Sequence, residues 1–481
     1  MSAPGAVTNG QTGANSANSV NGAAELRRTL GLTDLTLIAM GTVIGSGIFL
    51  VPGVVLRQTG IATGPALLVW IVAGVLSLLG ALTYAEMGAM KPEAGGLYVY
   101  IRDSFGALPA FLYGWTSFFV IASGSIAALS VAFAGYLAQI IPMGQWTARL
   151  IAVLVIVLIA VINVRGTRKS ATVQNWTTGA KVGALLLLSI ALIAFGRGAH
   201  GHAITWPASL TGSLAAGIGA AMIGVLWAYE GWQYVTFSAG EARNPQKTFP
   251  RAITIATVAL VVIYLLANLG YIAALGPAAA AQTDHVAADA AAAILGPVAG
   301  KIVGALILVS IFSATNGLML TAPRMYFAMA RDGVFFQRLA IVNPRRGTPA
   351  FAILAIAVWS AVLAASGTFE QLLTYVVFTG WIFYGLGALS VFVYRRREPD
   401  ALRPFRVPGY PVTPLLFVAS AAMLVLNTMM TQPVRAAAGL AVVLLGTPAF
   451  YLWRARSRRD GSSIPPSIPQ TIETDDATAA S

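Results

Sequence analysis

Long apolar stretches alternate with short polar and charged segments along the whole sequence. A helix of about 20 apolar residues crosses the hydrocarbon core of a bilayer, and twelve stretches approach this length. The pattern therefore predicts an all-α integral membrane protein with twelve transmembrane helices, called predicted helices 1 to 12 in chain order. Their predicted bounds are 32–56, 62–90, 106–140, 147–164, 171–195, 213–238, 250–276, 299–331, 349–366, 370–394, 412–431 and 434–453.

The composition agrees with a membrane protein and removes several kinds of chemistry. Of the 481 residues, 57% are hydrophobic and only 10% are charged, whereas a soluble domain carries about 25% charged residues. The sequence contains no Cys, and its three His all fall in predicted outer loops: His200, His202 and His285. Disulfides and thiolate metal sites are excluded, and we expect no metal, no cofactor and no enzymatic activity.

Topology explains the net charge of +13. If the N-terminus is cytoplasmic, most of the 30 Lys and Arg residues lie in inner segments. The exceptions in outer segments are Arg57, Arg149, Arg197, Lys301 and Arg435. Positive residues concentrate on the cytoplasmic side of membrane proteins, where they also attract anionic lipid headgroups. We therefore predict a cytoplasmic-membrane protein with both termini in the cytoplasm, in contact with membrane lipids and without a nucleic-acid partner.

Two of the predicted helices are interrupted near their centres. Residues 45–47 (GSG) interrupt predicted helix 1, and a carboxylate and a Gly within 227–232 (WAYEGW) interrupt predicted helix 6. Backbone groups freed at membrane depth survive where they line a polar cavity, and matched breaks mark the binding site in proteins built from two inverted halves. The breaks enter from opposite faces, so we predict a 5+5 inverted repeat.

The predicted twelve-helix domain covers residues 25–453. Its parts are repeat one, repeat two and the additional helices 11 and 12, at about 32–195, 213–394 and 412–453. Residues 1–24 and 454–481 are rich in small and polar residues, and we predict that they form disordered cytoplasmic tails.

The two breaks can bind the two ends of a zwitterion. The half-helix that begins near Ser46 presents free N–H groups and a positive dipole end, which favour a carboxylate. The half-helix that ends near Ala228 presents free carbonyls and a negative dipole end, which favour an ammonium group. An α-amino acid carries both groups on one carbon and is therefore the favoured ligand.

Several motifs, in the same order, resemble those of the amino acid–polyamine–organocation transporter superfamily. They are GTVIGSGIF at 41–49, WAYEGW at 227–232, AGEARNP at 239–245, FPRAI at 249–253, SATNG at 313–317, RDG at 331–333 and PFRVPG at 404–409. The resemblance covers roughly residues 25–455 and is strongest to the L-type amino acid transporter branch and its bacterial relatives. It implies the inverted-repeat fold of the bacterial leucine transporter, with sodium-independent amino acid transport by exchange or with protons.

The resemblance also implies which residues contact the substrate. Backbone groups of one run would bind the carboxylate: Thr42, Val43, Ile44, Gly45, Ser46 and Gly47. A second run would bind the amine and complete the unwound segment: Trp227, Ala228, Tyr229, Glu230 and Gly231. Animal light chains of this family are linked to a partner glycoprotein through a Cys, and the absence of Cys here excludes a disulfide-linked partner.

Lys181 stands alone about eleven residues into predicted helix 5 and is the one basic residue assigned to neither the inner nor the outer segments. A buried ammonium group costs several kcal/mol unless it is paired or hydrated. The resemblance implies that Lys181 replaces the sodium ion of sodium-coupled relatives and contacts predicted helix 1 near Gly45. The alternative is that the side chain extends to the inner surface and has no coupling role.

Glu230 lies in the interrupted part of predicted helix 6, and four roles remain open for it. It could exchange a proton during transport, neutralise Lys181 or a helix dipole, or favour cationic substrates. It could also only stabilise the helix break.

Weaker candidates are polar residues in other predicted helices. Asn316 and Ser313 form either hydrogen bonds between helices or part of the pocket, and Ser123 and Ser125 are either packing residues or part of it. Beyond predicted helix 6, Glu241, Arg243 and Arg251 form either ion pairs on the inner face or a solvated loop.

The paired breaks and Lys181 favour a secondary transporter. We predict sodium-independent transport of neutral L-amino acids by alternating access, through exchange or coupled to protons. Proton-coupled transport of cationic amino acids or polyamines is the alternative, because Glu230 places a carboxylate in the site. A channel or a membrane-bound amino acid sensor would need a pore ring or a soluble signalling domain, and the sequence shows neither pattern.

Overall fold

The computed structural model describes residues 26–198, 204–367 and 369–459, and these residues fold almost entirely into α-helices. In chain order the α-helices are α1 Leu32–Val43, α2 Gly47–Gln58, α3 Thr63–Met90, α4 Leu97–Phe105, α5 Ala107–Thr116, α6 Ala122–Ile140, α7 Gln145–Val164, α8 Thr167–Phe195, α9 Gly212–Ala228, α10 Pro245–Leu275, α11 Pro277–Gln282, α12 Val286–Leu295, α13 Pro297–Thr321, α14 Pro323–Arg331, α15 Ala350–Ser366, α16 Phe369–Arg397, α17 Val412–Thr431 and α18 Pro433–Arg459. A π-helical turn at Ser117–Ile121 joins α5 to α6, and 3₁₀ segments lie at Trp232–Glu241 and Gln337–Ala340.

Within the described residues, 10 helical segments are long and apolar enough to cross a membrane. The pair α1 and α2 passes the same test together and is bent by 44° at the break between them, and α15 is a shorter apolar helix. The predicted all-helical membrane fold is therefore confirmed. The outward faces of these helices are apolar as well, as in α7, where Leu150, Leu154 and Leu158 are each more than half exposed. Such faces suit contact with lipid chains.

The structure differs from the sequence prediction mainly between the predicted membrane helices. Three short helices, α4, α11 and α12, lie in segments that were predicted to be loops. The predicted C-terminal tail begins too early, because α18 continues to Arg459 rather than ending at residue 453. The remaining tail residues, 460–481, and the predicted N-terminal tail at 1–24 lie outside the described residues.

Two distant parts of the chain meet in a short backbone pairing at the far ends of the segments that flank the two helix breaks. Leu30, just before α1, forms a parallel bridge with Ala242, just after the 3₁₀ segment Trp232–Glu241. The Leu30 N–H donates to the Glu241 carbonyl at 2.9 Å, and the Arg243 N–H donates to the Leu30 carbonyl at 2.8 Å. This pairing attaches the chain before the first break to the chain after the second.

Candidate functional site

The first break separates α1 from α2 at residues 44–46. The Gly45 N–H bonds the Val43 carbonyl at 2.8 Å instead of the Gly41 carbonyl that a continuous helix would use. The helix resumes at Gly47, and the first N–H groups of α2 have no partner within the helix. The break therefore releases carbonyls at the end of α1 and N–H groups at the start of α2 from hydrogen bonding within a helix.

The second break follows α9, which ends at Ala228, and residues 229–231 lead into the 3₁₀ segment. Gly231 has φ +133°, and a Cβ atom there would lie 2.8 Å from the Thr42 carbonyl carbon and oxygen. Only glycine suits both this backbone conformation and this close approach. The Thr42 hydroxyl lies 3.0 Å from the Gly231 carbonyl and shares its one proton between this acceptor and carbonyls of its own helix, so the two breaks contact each other directly.

A small cavity of about 40 Å³ lies where the two breaks meet. Most of the predicted substrate-contact residues line it: Thr42, Val43, Gly45, Ser46, Gly47, Trp227, Ala228, Glu230 and Gly231. The rest of the lining includes Ser125, Leu129 and Tyr234. The volume corresponds to very few water molecules, so an amino acid could enter only if the surrounding helices moved apart.

Two residues of the predicted substrate runs do not line this cavity. The ring of Tyr229 packs against the rings of Trp70 and Tyr264, with centroids 5.9 and 4.9 Å away, and its side chain is fully buried. Ile44 contributes its carbonyl to a different group of contacts, described next. Both residues therefore contact the structure around the breaks on sides that face away from the cavity in this conformation.

Lys181 contacts the first break, as the family resemblance implied. Its Nζ atom donates to the carbonyls of Gly41 at 2.8 Å, Ile44 at 2.5 Å and Ser310 at 3.3 Å. The residue is 3% exposed, so the predicted alternative of a side chain extending to the surface is wrong. An ammonium group has three N–H donors, and here all three find backbone oxygens.

Glu230 faces the cavity and is only partly paired. Its Oε1 atom accepts a hydrogen bond from the Tyr384 hydroxyl at 2.8 Å, whereas its Oε2 atom has no partner among the described residues. The Tyr234 hydroxyl, also at the cavity, is likewise buried without a partner there. Glu230 and Lys181 form no ion pair in the described chain, so direct neutralisation of Lys181 by Glu230 finds no support.

The weaker candidates separate into two groups. Ser125 lines the cavity, whereas Ser123 lies outside the lining and donates to the Phe118 carbonyl at the π-helical turn. Asn316 also lies outside the lining, in a network in which it accepts from Asn163 and donates to Gln174, both at 2.9 Å. Its contacts match the predicted alternative of hydrogen bonds between helices.

Of the two alternatives left open beyond the second break, the structure contains an ion pair for Glu241, and its partner is Arg324. Glu241 pairs with Arg324 of α14 through an Nε–Oε2 distance of 2.7 Å, and both side chains are buried. Arg243 and Arg251 form no ion pair in the part of the chain that the structure describes. The Arg324 position could not be inferred because it lies 83 residues away in sequence.

Two functional contacts were missing from the sequence prediction. The Tyr264 hydroxyl contacts the carbonyls of Val43 at 3.2 Å and Ala228 at 3.1 Å, one from each break. The Ser310 hydroxyl contacts the carbonyls of Ile44 at 3.0 Å and Gly45 at 3.2 Å. In the sequence, the only sign of these contacts is a hydroxyl residue within an apolar helix. This sign is weak, because many such hydroxyls donate only to a carbonyl of their own helix.

These features define a class of protein: a multi-pass membrane protein whose paired helix breaks enclose a polar site, the arrangement found in secondary transporters. No cluster of metal-ligating side chains occurs in the described ranges. The sequence model of the amino acid permease family matches residues 30–450. The chain therefore belongs to the amino acid permease family and is an amino acid transporter of the amino acid–polyamine–organocation superfamily.

Individual relatives agree with this assignment. The chain is 31% identical over 436 residues to the serine/threonine exchanger of Bacillus subtilis (strain 168), covering 90% of this chain and 98% of the relative. It is 33% identical over 417 residues to the human b(0,+)-type amino acid transporter 1, covering 85% and 84%. It is 32% identical over 445 residues to the mouse large neutral amino acids transporter small subunit 2, covering 91% and 83%. All three are named as transporters or exchangers rather than as enzymes.

Proposed function

We propose that this protein is a sodium-independent secondary transporter that exchanges neutral L-amino acids across the cytoplasmic membrane by alternating access. The contact between the two helix breaks around one cavity carries this proposal. It places a helix N-terminus and a helix C-terminus beside the same space, which suits a carboxylate and an ammonium group on one carbon. Similarity to a serine/threonine exchanger and to a large neutral amino acid transporter subunit supports exchange and neutral substrates.

The substrate carboxylate would bind at the start of α2. The N–H groups at Ser46 and Gly47 lie at the helix N-terminus, and the Ser46 hydroxyl is buried at the cavity without a partner among the described residues. The ammonium group would bind the carbonyls at the end of α9, around Trp227 and Ala228. Gly45 lines the cavity and carries no side chain that would shield its backbone groups from the ligand.

Sodium independence is proposed from the contacts of Lys181. Sodium is a hard cation that prefers oxygen ligands, and backbone carbonyls at a helix break are ligands of this kind. The Lys181 ammonium group occupies such a cluster, formed by the carbonyls of Gly41, Ile44 and Ser310. A protein cation in this place removes the need for a bound metal ion to hold the break in shape.

The proposed topology has twelve spans, with α1 and α2 as one broken span and α15 as the shortest. Five spans form each of two inverted repeats, α17 and α18 follow them, and both termini face the cytoplasm. The distribution of Lys and Arg supports this orientation. The proposed partners are the amino acid substrate, membrane lipids and, in the coupled alternative, protons; no disulfide-linked subunit is possible without Cys.

Transport of cationic amino acids or polyamines is the second candidate. The free Oε2 atom of Glu230 at the cavity is the observation that favours it, because a buried carboxylate gains from a cationic partner. The similarity to a b(0,+)-type amino acid transporter keeps this candidate open. On this reading Glu230 would bind the distal ammonium group of the substrate side chain.

Uptake into sodium-free proteoliposomes tests the proposal. Vesicles preloaded with unlabelled amino acids are compared with empty vesicles, each with and without an inward proton gradient. Uptake that requires preloading supports exchange, whereas uptake into empty vesicles driven by the gradient supports proton coupling. Competition by alanine, leucine, lysine and putrescine then separates neutral from cationic substrates. Uptake that collapses on removal of sodium would refute sodium independence.

A further inference from the structure

A continuous polar face runs along α8, although this helix lies in an apolar environment. Its buried polar residues are spaced by three or four positions and therefore share one side of the helix. They face a similar row on α13 and α14, and every member is at most 6% exposed. We call this interface the polar seam, formed by Thr167, Ser170, Gln174, Thr178 and Lys181 with Ser310, Ser313, Asn316 and Arg324.

Hydrogen bonds connect the seam from its centre outward. The Gln174 side chain accepts from Asn316 at 2.9 Å and donates to Thr178 at 3.2 Å. Thr178 in turn contacts the Ser313 hydroxyl at 3.2 Å, and Ser170 lies within 3.4 Å of the Asn316 side-chain oxygen. These bonds join the middle of the seam, from Ser170 to Ser313. The Lys181 contacts at the first break lie beyond one end of this network, and Thr167 lies beyond the other.

A buried ion pair closes that opposite end. Arg324 donates to both oxygens of Glu241, at 2.7 Å and 3.3 Å, and to the Thr167 hydroxyl at 2.8 Å. The same hydroxyl donates to Glu241 at 3.0 Å. Three separate elements meet here: the start of α8, the end of the 3₁₀ segment that follows the second break, and α14. We call these three side chains the lock: Thr167, Glu241 and Arg324.

The lock is also attached to the start of α1, the helix that leads to the first break. The Glu241 carbonyl accepts from the N–H groups of Thr29 and Leu30, immediately before α1. A movement that separates Glu241 from Arg324 would therefore shift the chain on both sides of the candidate site. The Arg324 Nη1 atom remains buried without a hydrogen-bond partner in the described chain, so the closed arrangement does not satisfy this guanidinium completely.

If the seam stayed closed at all times, its polar side chains would add little to the stability of the contact between α8 and α13. Buried polar groups cost free energy unless they are fully paired, and hydrogen bonds between membrane helices contribute only modestly. Apolar side chains would join α8 to α13 at least as well. The opposite face of α8 is exposed at Trp176 and Leu187, so at these positions the helix is not packed against the rest of the described chain. A polar face on such a helix suits contact with water in another conformation.

We propose that the polar seam is the water-facing wall of the route between the candidate site and the cytoplasmic side, and that the lock holds this route closed. The inference rests on the proposed alternating-access function. Thr167, Glu241 and Arg324 act as positioning residues, because they do not touch the cavity and act through the helices that surround it. Separation of Glu241 from Arg324 frees the start of α8 and exposes the seam to water.

Single cysteines can test this directly, because the natural chain contains no Cys. Ser170→Cys reports on the seam. Ser189→Cys is the matched control, since Ser189 lies on the same helix, is 1% exposed and donates to its own helix at the Leu185 carbonyl. Lys169→Cys is the exposed reference. A membrane-impermeant maleimide is added from the cytoplasmic side of inside-out vesicles, and the labelling rate of each variant is measured.

The lock is then weakened in two ways. Glu241→Gln removes one charge. Thr167→Val removes only the bridging hydroxyl and keeps the ion pair, so it tests the lock even if Glu241→Gln fails to fold. We expect Ser170→Cys to label slowly in the otherwise natural chain and at least about tenfold faster with either change, the effect of losing one charge-assisted hydrogen bond. Ser189→Cys should stay slow, and Lys169→Cys should label rapidly throughout.

Two results would overturn the inference. Ser170→Cys could remain as unreactive as Ser189→Cys in both lock variants, which would make the seam a fixed contact between helices. Both cysteines could instead become equally reactive, which would show general loosening rather than an opened route. Labelling requires no transported substrate, so failure of this inference and failure of the proposed amino acid exchange are measured separately.

Discussion

We predict that replacing Lys181 by Met affects the stability of the fold and the geometry of the first helix break differently. The substitution keeps a long apolar stem in the space between α1, α8 and α13 but removes the charge and all three hydrogen bonds. Removal of a buried charge relieves its desolvation, which is worth several kcal/mol for an ion in a protein interior. The variant should therefore fold and unfold at a temperature no lower than that of the natural protein.

The break itself should lose its defined shape. The Ile44 carbonyl keeps a hydrogen bond from the Ser310 hydroxyl. The Gly41 carbonyl loses its ammonium donor, and the Gly45 N–H cannot replace it because this N–H is already bonded to the Val43 carbonyl. An unsatisfied buried carbonyl costs about 1–3 kcal/mol. That penalty falls on the conformation that binds substrate, and it corresponds to roughly a 5- to 150-fold loss of exchange at 1.4 kcal/mol per factor of ten.

The assay measures exchange in proteoliposomes together with thermal unfolding of the purified protein. Lys301→Met is the matched control, because Lys301 is an exposed lysine on α13 and should leave both measurements unchanged. Lys181→Gln keeps hydrogen-bond donors without the charge and should fall between the natural protein and Lys181→Met. Exchange by Lys181→Met at the natural rate, with the protein folded, would refute the argument that this ammonium group shapes the break.

Three further predictions concern the contacts between the breaks. Gly47→Ala should reduce exchange strongly, because its Cβ atom would lie 2.8 Å from Ala228. The control Gly183→Ala has no atom within 4 Å of the added Cβ and should be neutral or slightly stabilising. Equal exchange rates in the two variants would contradict this prediction. Glu230→Gln should weaken competition by lysine more than competition by alanine, and equal changes in the two inhibition constants would argue against a cation-binding carboxylate. Tyr264→Phe should lower exchange by about tenfold through the loss of one shared hydroxyl donor, and unaltered kinetics would show that the bridge is dispensable.

The sequence predicted local features well because local physics determines them. Apolar length identified the membrane helices, and the glycines at 45 and 47 marked the first break, since free backbone groups at membrane depth need a polar surrounding. A lone charge in an apolar helix marked Lys181 for the same reason. Family resemblance then implied a contact with predicted helix 1 near Gly45, and the structure places the Lys181 Nζ atom on the carbonyls of Gly41 and Ile44.

The contacts that the sequence did not reveal join residues far apart in the chain. Tyr264 and Ser310 are ordinary hydroxyl residues in apolar helices, and only the packing of α10 and α13 against α1 brings them to the break. Glu241 had nearby basic residues as apparent partners, yet it pairs with Arg324 because α14 begins beside the 3₁₀ segment. Charge and periodicity do not specify such long-range pairings, since several partners satisfy the same local chemistry.

The two breaks are connected in a way that favours concerted movement. One hydroxyl, that of Tyr264, approaches carbonyls from both breaks, and its single proton cannot form a full hydrogen bond to both at once. Thr42 and Gly231 join the breaks on the cavity side, while Leu30 and Glu241 join the same segments beyond it. Displacing one break therefore strains contacts of the other at two separate levels. An amino acid bound between them would act on both half-helices together, which is the coupling that an alternating-access exchanger requires.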